Sequence, residues 1–415
     1  MVAMGLSKVA ICTILLSFAW GKGECAMSDV LFEITKDNLD TGMRGFPVGY
    51  CSTSTVDPYK GLIYVDKPIA DLASWQPEEV IFLLYNRRKG EPGEVAAFSE
   101  ELKKRAACPK EVIEAIERLP RNAHPMKLLP MALMLLGGTA EKNDYKRDCL
   151  DLIARMPHLV ACLINHHAGW GKTPLPDASK GYMENFTHMV QAPGVDKKKL
   201  AQVFSLFNIL HYDHGGGNLS TFVGKSVASG LEDIYGSIAA AMNALAGPRH
   251  GRANQDCLEF VQEVLKELGE NASSQDVERL IRQRLANKQL VFGFGHAVLR
   301  VEDPRAAVFY TYAEQNFSQH PLVKIALRLR EAGPKVLSEN PKISDPYPNI
   351  DAISGTVLTA AGFDYPEYFT VLFGLSRSVG IAIQIVEDRC YAREGKGTPI
   401  VRPRFIYRSL TLKNP

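Results

Sequence analysis

At 415 residues the chain exceeds the usual reach of one hydrophobic core, so two domains are expected. Its 46% apolar and 23% charged residues are those of an ordinary globular protein, and a formal net charge of +2 with no basic run argues against nucleic-acid binding. Eight cysteines (Cys12, Cys25, Cys51, Cys108, Cys149, Cys162, Cys257, Cys390) are scattered without a CxxC pair. That disfavours zinc ribbons and disulfide frameworks, and it suits reduced thiols in the cytoplasm.

Residues 1–26 form an extension of their own. Lys8 precedes an apolar run over 9–20 and then GKGECA, an arrangement like a secretory signal. Glu24 falls at the −3 position of a cut after Ala26, where a small residue is wanted, and the lack of Arg disfavours a transit peptide. The alternative is a start of translation at Met27. The apolar run is too short to span a membrane, and no membrane association is expected.

From Met27 a short extended stretch, VLFEIT, leads into a Gly-rich turn region over 42–61. Helical spacing then dominates. Apolar residues recur every three or four positions over 78–89, 95–107, 110–118, 126–136 and 145–153, punctuated by Pro109, Pro120, Pro125 and Pro157. Residues 200–211 give another helix before Gly215, Gly216 and Gly217. The segment 233–246 carries the small-residue run SIAAAMNALAG, suited to close helix packing, and stops at Gly247-Pro248. Helices follow over 252–268, 276–286, 304–316, 322–332, 351–361 and 366–387. Strand signals are nearly absent, so the fold class is all-α, and doubly wound sheets with their dinucleotide sites are excluded.

Polar residues that an apolar helical core does not need collect at helix ends, where backbone groups lack internal partners. HYDHGGGN (211–218) offers a His-x-x-His pair, His211 and His214, with Asp213 between them. It suits either a metal or local hydrogen bonds. GPRHGRAN (247–254) sets His250 before a helix N-terminus, where the macrodipole favours a neutral imidazole; a plain capping role is the alternative. GFGHAVLRVEDPR (293–305) joins Gly293 and Gly295 to His296, Arg300 and Arg305, and reads as a ligand loop or a Gly-rich turn with solvated arginines. PYPNIDAISG (346–355) places Asp351 where a helix begins, as base or as cap. Arg377 in GLSRSVG lies within an apolar helix and needs an anionic partner, from protein or ligand.

GPRHGRANQ, GFGHAVLRVEDPR, PNIDAISG and GLSRSVG, in this order and separation, resemble the citrate synthase family. HPM (124–126), DHGGGN (213–218) and AAAMNALAGP (239–248) add to the likeness, which spans the chain from about Met27 onward. The resemblance implies a large helical domain over 27–250 and 357–415 and a smaller inserted one over 251–356, with Gly247, Gly251 and Gly355 as candidate hinges. It implies a catalytic trio of His250, His296 and Asp351. Asp351 would take a methyl proton from acetyl-CoA, His250 would hydrogen-bond the thioester oxygen, and His296 would protonate the ketone oxygen of oxaloacetate. Arg305, Arg377, Arg402 and His214 would hold oxaloacetate, with Arg402 reaching a partner's site in a homodimer that shares its active sites. Leu290, Val291, Gly293, Gly295 and Arg300 would contact CoA. No metal and no cofactor are implied, acetyl-CoA being a co-substrate.

Several positions depart from the family pattern. Arg249 replaces a leucine beside His250, the segment 61–69 lacks an Arg-Gly pair, and Ser344 stands for a lysine, with Lys342 nearby. The loop REGKGT (393–398) is longer than usual, which makes Arg404 a competitor of Arg402. The sequence also admits three other readings: a 2-methylcitrate synthase using propionyl-CoA, a helical metal-binding protein, and a non-catalytic binding scaffold.

Overall fold

In a computed structural model of the protein, residues 30–140 and 144–407 are described, so the N-terminal extension lies outside the described residues. The described residues fall into two units, 30–49 and those from 50 onward. In the first, 30–35 run without regular structure into a 3₁₀ turn at Lys36–Asn38. All the site residues belong to the second.

Among the described residues there are one small sheet and sixteen α-helices. The sheet is antiparallel, in the order β1 (Ser54–Asp57), β2 (Gly61–Tyr64), β3 (Lys67–Pro68). It starts within the expected turn region, and its strands are too short to show an alternating pattern. Gly61 closes the first hairpin at φ +82°, opposite Asp57. A Cβ there would lie 2.4 Å from Pro304 Cγ, so the hairpin seats against the later Asp-Pro step.

The helices are α1 (Ile69–Leu72), α2 (Pro77–Asn86), α3 (Pro92–Arg105), α4 (Lys110–Ile116), α5 (Pro125–Gly137), α6 (Tyr145–Ala168), α7 (Tyr182–Met189) and α8 (Lys197–His211). They continue as α9 (Leu219–Ser229), α10 (Ile234–Leu245), α11 (Ala253–Leu268), α12 (Ser274–Ala286), α13 (Pro304–Phe317), α14 (Pro321–Leu337), α15 (Asp351–Ala360) and α16 (Phe369–Val386). Three of them, α1, α7 and α9, were not expected, and two run through a proline read as a stop or lying beyond the expected end. In α6, Pro157 forfeits a backbone bond and strains the helix by about 3 kcal/mol. Around it Leu152, Ile153, Met156, Leu159, Val160, Leu163 and Ile164 are wholly buried, each worth roughly 1.5–3 kcal/mol, and burial wins. Asp144 caps the start through Lys146 N and Arg147 N, and Gly169 ends the helix at φ +73°.

Every residue of α16 except Phe373 is buried. The stretch Pro366–Tyr391 is long and apolar enough to cross a membrane, yet here it is a core helix packed by α6, α8, α9 and α10. The small residues of α10 do allow the close approach expected of them: a Cβ on Gly224 of α9 would sit 3.2 Å from Ala241. Helices α11–α15 pack largely on one another, α11 against α14 and α15, α12 against α14, and α13 against α15. Of the three candidate hinge glycines, Gly251 and Gly355 are tightly packed, whereas at Gly247 a Cβ would meet only Ala244 O, at 3.6 Å. A Cβ on Gly251 would meet Leu245 O at 2.6 Å, and one on Gly355 would meet Asn254 Oδ1 at 2.5 Å.

Candidate active site

His250 lies in the turn between α10 and α11, half-buried, with its ring edge-on to Phe373 of α16. Its Nε2 receives the Ser220 backbone N–H (3.3 Å) and sits 3.0 Å from Ser220 Oγ. A backbone N–H can only donate, so Nε2 is the bare nitrogen and the proton resides on Nδ1. Ser220 stands in the first turn of α9, a helix that the sequence reading missed.

His296 shows the opposite tautomer. Its Nδ1 accepts the N–H groups of Val298 and Leu299, both at 3.0 Å, which leaves the proton on Nε2. Both rings are held neutral. Burial pushes each pKa down to about 4, aided by the positive charge of Arg377 at His250 and chiefly of Arg305 at His296. At His250 the cause is thus burial and a neighbouring guanidinium, where the sequence suggested a helix terminus.

Asp351 is the first residue of α15. The N-cap is Ile350, without a side-chain cap, and Asn349 Oδ1 accepts the Asp351 N–H at 3.0 Å. The same Asn349 donates its N–H to Gly293 O and its Nδ2 to Gly295 O, both at 2.9 Å. One amide therefore ties the His296 loop to the start of the Asp351 helix, reinforced by an antiparallel bridge between Phe294 and Pro348. Gly293, at φ +84°, permits this approach, since a Cβ there would lie 2.8 Å from Ala352 Cα. The Asp351 carboxylate accepts no hydrogen bond among the described residues. Burial pushes its pKa up to about 6, against the pull of Arg305.

Arg305 and Arg377 are both buried. Arg305 clamps Asp303 through Nε (3.1 Å) and Nη2 (2.7 Å), which leaves Nη1 without a protein partner among the described residues. Arg377 donates Nε–H to His211 O at 2.9 Å and lies 4.8 Å from the Phe373 ring centroid, with no carboxylate paired to it among the described residues. Burial pulls its pKa down to about 10, so it remains a cation at neutral pH. The buried Nε2 of His214 has no partner either, and its ring stands 5.4 Å from that of His296. Arg305 and Arg377 act electrostatically on both His214 and Asp351, Arg377 also on His250 and Arg305 on His296. Six expected site residues thus share one field: His214, His250, His296, Arg305, Asp351 and Arg377.

The remaining expected residues stand apart. Leu290 is exposed and Val291 half-buried on the loop that leads to Gly293. Gly295 has φ +86°, and Arg300 folds its guanidinium onto Val298 O while its own N–H meets Pro58 O at 2.8 Å. Arg402 and Arg404 are exposed on an extended terminal segment. Arg249 is exposed beside His250. His211 and His214 do not pair on a metal. His211 is stacked on Phe207 with Nδ1 at 2.7 Å from Phe207 O, and no metal-ready group of three or more His, Cys, Asp or Glu occurs among the described residues.

Residues 42–404 match the family described as "Citrate synthase, C-terminal domain". The chain is 35% identical over 400 residues to mitochondrial citrate synthase 4 of Arabidopsis thaliana, covering 91% of this chain and 83% of that protein. It is 32% identical over 406 residues to a peroxisomal citrate synthase of Saccharomyces cerevisiae (92% and 86% covered). It is also 32% identical over 400 residues to a mitochondrial 2-methylcitrate synthase of Yarrowia lipolytica (90% and 84% covered). Among solved structures, the ternary complex of Thermoplasma acidophilum citrate synthase with carboxymethyl coenzyme A and oxaloacetate superposes with a TM-score of 0.78 at 26% identity, covering 90% of this chain and 97% of that one. The enzyme of Thermotoga maritima gives 0.75 at 27%, covering 89% and 96%. These relatives overturn the cytoplasmic placement, because those with a named compartment are mitochondrial or peroxisomal. Scattered reduced thiols suit an organelle matrix as well as a cytoplasm, so the cysteine pattern did not discriminate.

Proposed function

The chain belongs to the citrate synthase family, an acyltransferase type of enzyme, and from that premise we propose that it condenses acetyl-CoA with oxaloacetate to give citrate and CoA. The observation that carries the reading is two neutral histidines of opposite tautomer in one field with a bare carboxylate and two buried arginines. In the proposed reaction Asp351 removes a proton from the acetyl methyl group. A carboxylate is far too weak a base to do this unaided. His250 therefore donates Nδ1–H to the thioester oxygen as the enolate forms, a preorganised contact of the kind worth about 3–4 kcal/mol. The new carbon–carbon bond forms as His296 gives Nε2–H to the ketone oxygen of oxaloacetate. Water then hydrolyses citryl-CoA, releasing the thiol.

Oxaloacetate is a dicarboxylate, and Arg305, Arg377 and His214 offer it one free Nη1, one unpaired guanidinium and one unpartnered imidazole nitrogen. Arg402 would come from a second subunit of a homodimer. The loop from Leu290 to Arg300 would carry CoA, and no resident metal or cofactor is assigned. Helices α11–α15, about residues 251–356, would form the smaller domain that closes over oxaloacetate and completes the acetyl-CoA site. The compartments of the relatives support an organelle as the place of reaction.

Thiol release from acetyl-CoA with oxaloacetate tests the proposal. The native sequence turns over, and Asp351→Ala loses activity by orders of magnitude. Equal rates in the two proteins overturn the mechanism. A second reading, condensation of propionyl-CoA, is favoured by the 2-methylcitrate synthase relative. One methylene discriminates by only ~1–3 kcal/mol, so comparing kcat/KM for the two thioesters decides between them.

A further inference from the structure

Asp213 is wholly buried, yet no ion pair satisfies its carboxylate among the described residues. Neutral donors do so instead. Oδ2 accepts from Thr53 Oγ1 and from Ser54 Oγ (2.8 Å), while Oδ1 accepts from Gln384 Nε2 (2.7 Å) and from the His214 N–H (2.9 Å). The donors come from two distant segments, the strand-β1 region and α16, and from the residue that follows Asp213. Around this centre the chain is gripped further. Ser54 Oγ receives the Gly215 N–H at 2.7 Å, and Tyr64 OH receives the Asp213 N–H at 3.0 Å. On the far side a Cβ on Gly380 would lie 2.7 Å from Asp213 Cβ, so only a glycine in α16 lets the loop seat this closely.

A buried carboxylate is costly, and apolar packing of similar volume often gives equal stability. What the charge does beyond stability follows from its neighbours. It is bonded to the peptide N–H of His214, whose buried Nε2 has no partner, and it is a negative group acting on the unpaired Arg377. We propose that Asp213 is a positioning residue for the oxaloacetate side of the site. Gripped by Thr53, Ser54 and Gln384, its carboxylate fixes the His214 peptide so that the imidazole Nε2 is presented to the substrate beside Arg305 and Arg377. The small sheet is then part of the active site's frame. The inference rests on the citrate synthase reading.

Asp213→Asn tests it, because the amide keeps the shape but loses the charge and turns one acceptor into a donor. The KM for oxaloacetate rises roughly 10- to 100-fold, as expected when charged hydrogen bonds are lost. The KM for acetyl-CoA at saturating oxaloacetate changes less than about threefold, an effect too small to be a lost hydrogen bond. Ser54→Ala, which removes one of the four bonds, moves the same constant in the same direction by less, and it serves if Asp213→Asn does not fold. In either variant the His214 ring proton resonance shifts in the substrate-free protein, while that of His250 stays in place. An unmoved His214 resonance, or KM values for both substrates rising in parallel, overturns the assignment. If the native protein releases no thiol with oxaloacetate, the functional reading fails, and the His214 resonance still decides whether Asp213 positions that ring.

Discussion

Asp351 and Arg377 show how the charge state of single residues bears on activity. Burial raises the Asp351 carboxyl to about 6, and only its ionised form can take a proton. With Asp351 as the proposed base, protonation removes it as pH falls through that value. Measured as kcat/KM, activity should climb with pH on an acidic limb centred near 6 and level off above it, and a limb near 4 would show that burial does not raise the Asp351 carboxyl. Arg377 is a buried cation without a paired carboxylate among the described residues, a condition that weakens the unliganded fold. Arg377→Leu should leave the melting temperature of the empty protein unchanged or higher. It should also abolish the upward shift given by oxaloacetate, a loss of roughly 2–5 kcal/mol in binding. A retained shift would place the carboxylates elsewhere. Both residues were legible in the sequence, one in PNIDAISG and one as a charge in an apolar helix. Their tautomeric partners were not, because the N–H groups that fix His250 and His296 come from backbone, at Ser220, Val298 and Leu299, and backbone carries no sequence signal.

At the scale of elements, helices are legible where apolar periodicity is long and hidden where burial overrides local preference. Pro157 looked like a stop, and α6 passes through it because both its flanks lie in the core. Helix α9 follows three glycines and is rich in Ser, Thr and Gly, so its period was faint, yet it supplies Ser220. The sheet was hidden by strands of two to four residues. Loops that meet in space were equally silent. Asn349 joins the His296 loop to the start of α15 with three hydrogen bonds, and nothing in PNIDAISG marks it as more than a turn residue. Asn349→Ala should free both segments together. We expect kcat to fall about 10- to 100-fold, the range of losing one or two buried hydrogen bonds at about 1–3 kcal/mol. Hydrogen exchange should quicken at Gly295 and Asp351, whose N–H groups lie at this junction. A variant with full kcat would show that the two segments hold their places without it.

For the whole molecule, the question is whether one chain contains a whole active site. His214, His250, His296, Arg305, Asp351 and Arg377 share one field within a single chain, whereas Arg402 is exposed on a terminal segment anchored by Val401 N–H to Ser229 Oγ at 2.9 Å. Around it Ile400, Phe405, Ile406 and Tyr407 are also exposed, an apolar run that a free surface does not favour. If the segment reaches a second copy, each dimer has two sites, each with six residues from one chain and Arg402 from the other. Mixing then gives a definite result. Asp351→Ala and Arg402→Ala are each inactive alone. In a hybrid dimer one site carries both defects and the other carries neither. Random reassociation of equal amounts makes half the dimers hybrid, so about a quarter of native activity should return. If Arg402 serves its own chain, every site keeps one defect and nothing returns. Substituting Arg404→Ala for Arg402→Ala in the same mixture identifies which of the two arginines crosses over.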